Sequence, residues 1–272
     1  MNSLYDTQTI AADLRNHENE AVAIHDGARE FFKPATVVQA AAHLAARPDC
    51  LIVSGGTDLG VQANKGFRTF ESVLSTRSLT ELRTIERTDQ TLSIGALATL
   101  TDLEAAVADV LPSYAGMLDR FGSPLIKNAG TLGGNIANGS PIGDTMPGLF
   151  VLQAEIELVG PRRRRVDIND YYTGYKRSVK MKDELLARVH IPLPAADEVF
   201  RAYKVSKRRD LDISSATAAF WLRLDANRIG DIRIAYGGVG PNIVRLRATE
   251  AAPPRQALYR SDDAHGRRDG DR

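Results

Sequence analysis

The first strong hydrophobic pattern along the chain has helical spacing. Apolar side chains recur three and four positions apart over residues 37–44, and Pro48 ends the pattern. Thr36 followed three residues later by Gln39 is typical of a capping box, which places the start of this helix. Residues 1–30 are more polar, and their weak pattern predicts a linker or a short helix followed by a strand near residues 21–25.

Further along the chain, short apolar runs alternate with turn residues. Thr101 followed by Glu104 predicts a second capping box, which opens a helix toward Val110. Gly160 and the arginines at 162–165 form a basic turn between two apolar runs, a pattern typical of a β-hairpin. Other strands are predicted over residues 51–53, 91–94 and 185–191, and a smaller strand-and-helix module over 200–206, 215–224 and 231–236.

A first glycine-rich segment, Ser54-Gly55-Gly56-Thr57-Asp58-Leu59-Gly60, directly follows the predicted strand at residues 51–53. Successive backbone N–H groups in such a turn converge on an anion, because no Cβ atoms stand in the way. The segment alone fits an ordinary strand–helix turn better. It lacks the Gly-x-Gly-x-x-Gly and Gly-Lys-Ser/Thr patterns, which disfavours a Rossmann fold or a phosphate-binding P-loop.

A second glycine-rich segment covers residues 121–147 and contains six glycines with almost no apolar periodicity. It is therefore not an ordinary helix or strand over its length, and a loop this long is functional or disordered. Thr131, Asn135 and Ser140 offer hydrogen-bonding side chains, and Asp144 offers a carboxylate for ribityl or ribose hydroxyls. Two separated glycine-rich segments predict one extended ligand.

Composition narrows the function further. The chain has 35 Lys and Arg residues against 34 Asp and Glu residues, so its net charge of +1 favours neither nucleic acid nor an anionic membrane. It has no secretory signal and no apolar run of about 18 residues, which predicts a soluble, cytoplasmic protein. Cys50 is the single cysteine, so any iron–sulfur cluster must lie on a partner chain.

Three strings carry a family resemblance. LIVSGGTDLGVQANKG, FGSPLIKNAGTLGGNIANGSPIGDTMP and AYKVSKRRDLDIS occur in order and with family-like spacing. Over residues 31–250 the chain resembles the FAD-binding domain of xanthine dehydrogenases, which is related to the vanillyl-alcohol-oxidase (PCMH) type of flavoprotein. Flavin subunits of carbon monoxide dehydrogenases share the Gly-Gly-Asn core, but Thr57-Asp58 and the Ser-Pro-Ile-Gly-Asp string are closer to the xanthine dehydrogenase form.

The resemblance implies an α+β fold with four parts. Residues 1–30 are expected to be a linker or N-terminal extension, and residues 31–195 a two-lobed PCMH-type FAD-binding domain. An incomplete α+β module like the C-terminal domain of carbon monoxide dehydrogenase flavoproteins follows over residues 196–250. Residues 251–272 are mostly polar and contain no branched aliphatic residue except Leu258, so a disordered or aberrant tail is expected there.

The resemblance also implies a set of cofactor-binding residues. The first segment would wrap the FAD pyrophosphate, and residues 131–135 with Asp144 would hold the ribityl and diphosphate region. Phe121 would pack on the isoalloxazine, Leu186 would line the flavin or adenine pocket, and Lys204 would lie near the ring system. The full expected set is Val53, Ser54, Gly55, Gly56, Thr57, Asp58, Leu59, Gly60, Phe121, Thr131, Leu132, Gly133, Gly134, Asn135, Asp144, Leu186 and Lys204.

The implied function is electron transfer. The chain would bind FAD non-covalently and pass electrons from a molybdenum cofactor and 2Fe–2S clusters on partner chains to NAD, as in purine catabolism by xanthine dehydrogenase. Alternatives are the flavin subunit of a carbon monoxide dehydrogenase or aldehyde oxidase, a self-sufficient flavin oxidase, and a truncated inactive remnant. No catalytic acid or base and no metal ligand is expected from this chain.

Overall fold

The computed structural model describes residues 6–66, 69–209, 211–225 and 228–251, so the predicted tail lies outside the described residues except for Ala251. Its helices are α1 (Thr7–Asn16), α2 (Val37–Ala46), α3 (Leu59–Asn64), α4 (Leu100–Val107), α5 (Pro112–Asp119), α6 (Pro124–Lys127), α7 (Leu132–Asn138), α8 (Thr145–Val151), α9 (Ile168–Tyr171) and α10 (Arg247–Glu250), with a 3₁₀ turn at Thr80–Arg83. Its strands are β1 (Val22–Asp26), β2 (Arg29–Lys33), β3 (Leu51–Val53), β4 (Ser72–Ser75), β5 (Ile85–Arg87), β6 (Thr91–Gly95), β7 (Glu155–Val159), β8 (Arg163–Asp167), β9 (Tyr172–Gly174), β10 (Arg177–Ser178), β11 (Leu185–Pro192), β12 (Glu198–Ser206), β13 (Ser214–Asp225), β14 (Arg228–Gly237) and β15 (Val244–Arg245).

The first lobe is built on a mixed sheet with the order β1-β2-β4-β3. Strands β2 and β3 both run parallel to β4, whereas β1 is an antiparallel edge strand. Helix α2 buries Val37, Ala40 and Leu44, the apolar positions that its helical spacing predicts. The Thr36 hydroxyl caps the helix by accepting a bond from Gln39 N at 3.2 Å, which confirms half of the predicted capping box. The Gln39 side chain accepts from Ala35 N instead of Thr36 N.

The second lobe is an antiparallel sheet with the order β5-β6-β11-β7-β8. Its apolar face shares one core with helices α4, α5, α7 and α8, including the fully buried Leu103, Leu118 and Ile156. The predicted hairpin is confirmed as β7 paired with β8. Ile168, predicted to lie in the returning strand, begins α9 instead because Asp167 caps that helix by accepting from Asn169 N at 2.8 Å.

The smaller predicted module is a third sheet, antiparallel in the order β12-β13-β14-β15, followed by α10. It packs against the second lobe, and Phe200, Ala219 and Trp221 belong to the same core as the helices of that lobe. On the same face, the Arg233 guanidinium stacks 3.7 Å from the centroid of the Trp221 ring. The mixture of helices and sheets confirms the α+β class.

Two further sequence predictions need correction. Helix α4 begins two residues earlier than predicted, because Thr99 and Asp102 form the capping box rather than Thr101 and Glu104. The glycine-rich segment at residues 121–147 is not one long loop: it contains α6, α7 and the first residues of α8, each only four to seven residues long. Short helices leave too few turns for apolar periodicity to appear in the sequence.

Candidate functional site

The first glycine-rich segment begins where β3 ends. Thr76 N donates to the Val53 carbonyl at 3.0 Å, and the Ser54 and Thr76 hydroxyl oxygens lie 2.9 Å apart, so the turn is tied to the next strand. Gly56 follows with a φ of +70°, a left-handed conformation that L side chains rarely adopt. The turn then leads directly into α3, and Gly60 N donates to Gly56 O at 2.7 Å.

The two glycine-rich segments contact each other at Gly55. A Cβ atom on Gly55 would lie 1.9 Å from the carbonyl oxygen of Ala129, far inside van der Waals contact. Only glycine therefore allows the two backbones to approach this closely. Two segments separated by about seventy residues in sequence thus form one continuous wall, as the hypothesis of a single extended ligand requires.

The second segment is also held to the strand and turn that precede α4. Leu132 N donates to Ala98 O at 3.0 Å, and Gly133 N donates to Ala96 O at 2.9 Å. A Cβ on Gly133 would lie 2.6 Å from the Ala96 Cβ. The missing side chain of Gly133 therefore makes room for Ala96, and this glycine serves internal packing.

Gly134 differs from Gly133 although the two are neighbours. It lies in the first turn of α7, where its N–H donates to the N-capping hydroxyl of Thr131 at 3.0 Å. A Cβ on Gly134 would meet only that hydroxyl oxygen, at 2.9 Å. The adjacent Asn135 accepts a bond from the Thr145 hydroxyl at 2.6 Å, which orients its amide.

A cavity of about 680 Å³ lies between the two lobes, within the size range of cofactor pockets. Leu97 and Leu185, which belong to the hydrophobic cluster around α2, border the cavity, and so does Leu100, which belongs to the core of the second lobe. Most of the predicted cofactor-binding residues line it: Ser54, Gly55, Gly56, Thr57, Asp58, Leu59, Phe121, Thr131, Gly133, Gly134, Asn135 and Leu186.

Five predicted residues do not line this cavity: Val53, Gly60, Leu132, Asp144 and Lys204. Leu132 is fully buried in the core. Asp144 and Lys204 form a buried ion pair, with Lys204 Nζ 2.7 Å from Asp144 Oδ2 and the Ser214 hydroxyl donating to the other carboxylate oxygen.

The ion pair lies next to a wall residue. Lys204 Nζ lies 5.9 Å from the centroid of the Phe121 ring, a distance at which a cation–π attraction still contributes. Phe121 is half-buried and lines the cavity. The pair thus supports an aromatic wall residue from outside the cavity lining.

Three lysines that the sequence analysis did not single out also line the cavity: Lys176, Lys180 and Lys182. They come from the turn between β9 and β10 and from the loop that leads to β11. Burial lowers the pKa of the Lys180 ammonium, whose Nζ donates to the Met181 and Glu184 carbonyls. The only sequence signal was their close spacing, Lys-x-x-x-Lys-x-Lys, which on its own is typical of a solvated loop.

Family models match most of the chain. Residues 26–194 match the FAD binding domain in molybdopterin dehydrogenase. This chain belongs to that family. Residues 201–259 match the C-terminal domain of the carbon monoxide dehydrogenase flavoprotein.

Individual relatives agree with this assignment. The xanthine dehydrogenase FAD-binding subunit of Escherichia coli O157:H7 is 30% identical over 225 residues, which cover 81% of this chain and 77% of the subunit. Xanthine dehydrogenase/oxidase of Gallus gallus is 28% identical over 246 residues, covering 85% of this chain but 18% of that enzyme. The chain therefore spans less than a fifth of the Gallus gallus protein.

A solved structure has the same fold. Carbon monoxide dehydrogenase from Hydrogenophaga pseudoflava superposes with a TM-score of 0.79 at 27% identity, covering 87% of this chain and 84% of the matched chain. Membership in this family of FAD-binding domains confirms the resemblance identified from the three sequence strings.

The cavity fits the cofactor that the family name implies. Gly56 and Gly134 give the wall exposed backbone where a Cβ would project, and Phe121 adds an aromatic face. Backbone N–H groups in glycine-rich turns suit phosphates. Within the described ranges, no group of three or more His, Cys, Asp or Glu side chains could hold a metal ion, and no helix there has the length and apolar character needed to cross a membrane.

Proposed function

We propose that this chain is the FAD-binding electron-transfer component of a xanthine dehydrogenase, passing electrons from iron–sulfur and molybdenum centres on partner chains through FAD to NAD. The observation that carries the proposal is the contact between Gly55 and Ala129, because it joins two glycine-rich segments into one cavity wall. The named relatives support the choice of xanthine dehydrogenase, and all of them are larger enzymes or subunits of one.

In this proposal, the residues of the chain bind and orient the cofactor. The turn over residues 53–60 supplies backbone N–H groups to the diphosphate, because Gly56 leaves the backbone accessible, and Gly134 leaves room for the cofactor beside the start of α7. Phe121 and Leu186 offer apolar contact to the flat rings. Asp144 and Lys204 do not line the cavity; their ion pair holds the Lys204 ammonium near the Phe121 ring and so helps to position this ring in the cavity wall.

The bound flavin supplies the redox chemistry, since flavins accept single electrons from iron–sulfur clusters and deliver a hydride to NAD. This chain then needs no catalytic acid or base of its own. Its single cysteine, Cys50, is buried in the first lobe at the border of the cavity, and the described residues contain no group of three or more side chains that could hold a metal ion. In this proposal, the molybdenum cofactor and 2Fe–2S clusters lie on partner chains, and FAD is bound non-covalently.

The close structural match to carbon monoxide dehydrogenase favours one alternative, a flavin component of that enzyme type with a different electron acceptor. The electron acceptor of the reduced flavin distinguishes the xanthine dehydrogenase type from the carbon monoxide dehydrogenase type. After anaerobic reduction of the FAD-loaded chain with dithionite and removal of excess reductant, reoxidation by NAD⁺ followed at 450 nm supports the xanthine dehydrogenase type. A chain that quinones reoxidise and NAD⁺ does not would support the alternative.

The binding site itself is tested by titrating the purified chain with FAD. Gly134→Val should weaken FAD binding at least tenfold, because its side chain projects where the wall presents bare backbone, and should cost about 1 kcal/mol through the Thr131 cap. Gly116→Val is the matched control, since Gly116 is exposed on α5 with no atom near its Cβ position. Unchanged FAD affinity in a folded Gly134→Val protein would contradict the placement of the cofactor.

A further inference from the structure

The charge of the cavity differs from that of the whole chain. The chain is nearly neutral, at +1. The charged residues that line the cavity are Lys176, Lys180, Lys182 and Asp58, three cations against one anion and therefore a net +2. This excess is concentrated in one short stretch, residues 176–182. An excess of positive charge between the lobes favours an anionic ligand.

Lys180 makes no contact ion pair within the described residues. Its Nζ donates to Met181 O at 3.0 Å and to Glu184 O at 2.9 Å, and an ammonium has three protons to donate. The neighbouring Glu184 carboxylate is bonded to Arg164 Nε at 2.6 Å and Nη2 at 2.8 Å. One donor of a half-buried ammonium therefore remains for a ligand oxygen, and within the described ranges no carboxylate lies within 4 Å of it.

Lys176 has a backbone conformation that is unusual for a residue with a side chain. Its φ of 52° lies in the left-handed region, a conformation that costs about 1–3 kcal/mol in a residue other than glycine. Its Cα would lie 3.6 Å from a Cβ on Gly139, the residue that ends α7. The turn that carries Lys176 is therefore packed directly against the second glycine-rich segment. Lys182, in contrast, is exposed and paired with Asp49.

We propose that Lys176 and Lys180 neutralise the diphosphate of the bound dinucleotide and so make the cavity selective for flavins that carry phosphate over neutral flavins. The inference rests on the proposed function, in which the cavity holds FAD. Two lysines without contact ion pairs match the two negative charges of a diphosphate. Backbone N–H groups from the first glycine-rich segment would bind one side of the diphosphate, and the two ammonium groups would bind the other.

The test compares FAD with riboflavin, which has the same ring but no phosphate. Affinities are measured by flavin fluorescence for the wild type, Lys176→Gln, Lys180→Gln and a control, Lys65→Gln. Lys65 is exposed and does not line the cavity. Lys180→Gln should weaken FAD binding about tenfold, as expected for loss of a bond to a charged group, and Lys176→Gln about threefold. Riboflavin affinity should stay unchanged in all four proteins.

Salt and a competitor give independent readouts. Raising the ionic strength should weaken FAD binding to the wild type but not riboflavin binding, and the effect should be smaller in Lys180→Gln. Inorganic pyrophosphate should compete with FAD in the wild type. Lys180→Arg should retain most of the affinity for FAD, because it keeps the charge.

The outcomes separate the two proposals. A wild-type chain that binds neither flavin contradicts the proposed function itself. If the wild type binds FAD and both glutamine variants bind it equally well, the proposed function stands and the lysine assignment is wrong. An equal loss of FAD and riboflavin affinity in Lys180→Gln would also overturn the assignment. It would mean that Lys180 maintains the shape of the cavity and does not interact with the charge of the diphosphate. Lys176→Gln, at an exposed position, keeps the test valid if Lys180→Gln does not fold.

Discussion

Two regions that sequence analysis assigned to the same ligand have opposite construction. The cavity wall is made of backbone: Gly56 and Gly134 expose main-chain atoms there and contribute no side chain. The Asp144–Lys204 pair is made of charged side chains, each less than a tenth exposed, which bond to one another and to Ser214. The cavity wall has exposed backbone that a ligand can contact, whereas the side chains of the ion pair already have their main bonding partners within the protein.

The difference separates cofactor affinity from folding stability. A change in the exposed backbone of the wall should be felt first by the ligand, because few protein atoms contact it. A change in the buried pair should be felt first by the fold, since an unpaired charge away from water is costly. The glycines of the two segments fall into the same two groups. Gly55 and Gly133 lie against protein backbone, whereas Gly56 and Gly134 do not.

The largest expected effect comes from breaking the buried pair. Lys204→Met leaves Asp144 charged and without its cation, so the free energy of unfolding of the flavin-free chain should fall by about 3–5 kcal/mol. The double variant Asp144→Asn with Lys204→Met should recover part of this loss, because no unpaired charge remains. Urea denaturation at pH 7 measures both.

The control for this prediction is Lys207→Met, which removes an exposed lysine just beyond the same strand, β12. Its stability should match that of the wild type within about 0.5 kcal/mol. If Lys204→Met costs less than about 1 kcal/mol and instead abolishes FAD binding, the pair is part of the ligand site, and the contrast between the two regions fails.

A smaller effect should distinguish two adjacent glycines. Gly55→Ala forces a Cβ against the Ala129 carbonyl, so the two segments must separate and stability should fall by about 3 kcal/mol. Gly56→Ala meets no atom closer than 3.9 Å and should cost about 1 kcal/mol, the strain of its positive φ. Thermal and urea unfolding without flavin give the comparison. Equal losses in the two variants would mean that the close contact between the segments does not exist in solution.

Sequence analysis selected residues that come together in the structure because the signals it used are local. Glycine strings after a short apolar strand are visible without knowledge of the fold, and most of the residues predicted from them line one cavity. Helix α2 could also be predicted from the sequence, since its apolar positions are periodic over ten residues. Both features depend on neighbours in sequence, which is where pattern analysis is informative.

The features that were missed depend on distant partners. The pairing of Lys204 with Asp144 joins residues sixty positions apart, and nothing in either segment indicates that the two charges meet. Arg164 was predicted to lie in a basic turn, but it belongs to β8 and its guanidinium pairs with Glu184. The helices in the second glycine-rich segment are stabilised by tertiary burial of Leu132 and Ile136, which outweighs their poor intrinsic propensity.

The smallest expected effect belongs to the edge of the cavity, where Arg164 and Glu184 form an ion pair that is intermediate between the two regions. The bonds from Arg164 lower the pKa of the Glu184 carboxyl, with help from the Met181 N–H, although burial opposes the shift. A lowered folded-state pKa means that the pair stabilises the fold above the unfolded carboxyl pKa of about 4.3 and loses that contribution as the pH falls through the folded value.

Glu184→Gln should therefore lower the free energy of unfolding by about 1 kcal/mol at pH 7 and by progressively less below pH 4. Glu18→Gln, at an exposed position, is the control and should leave the free energy of unfolding unchanged at both pH values. A cost of 3 kcal/mol or more at pH 7 would place Glu184 with the buried pair, and a cost that does not depend on pH would mean that its role is packing and not charge.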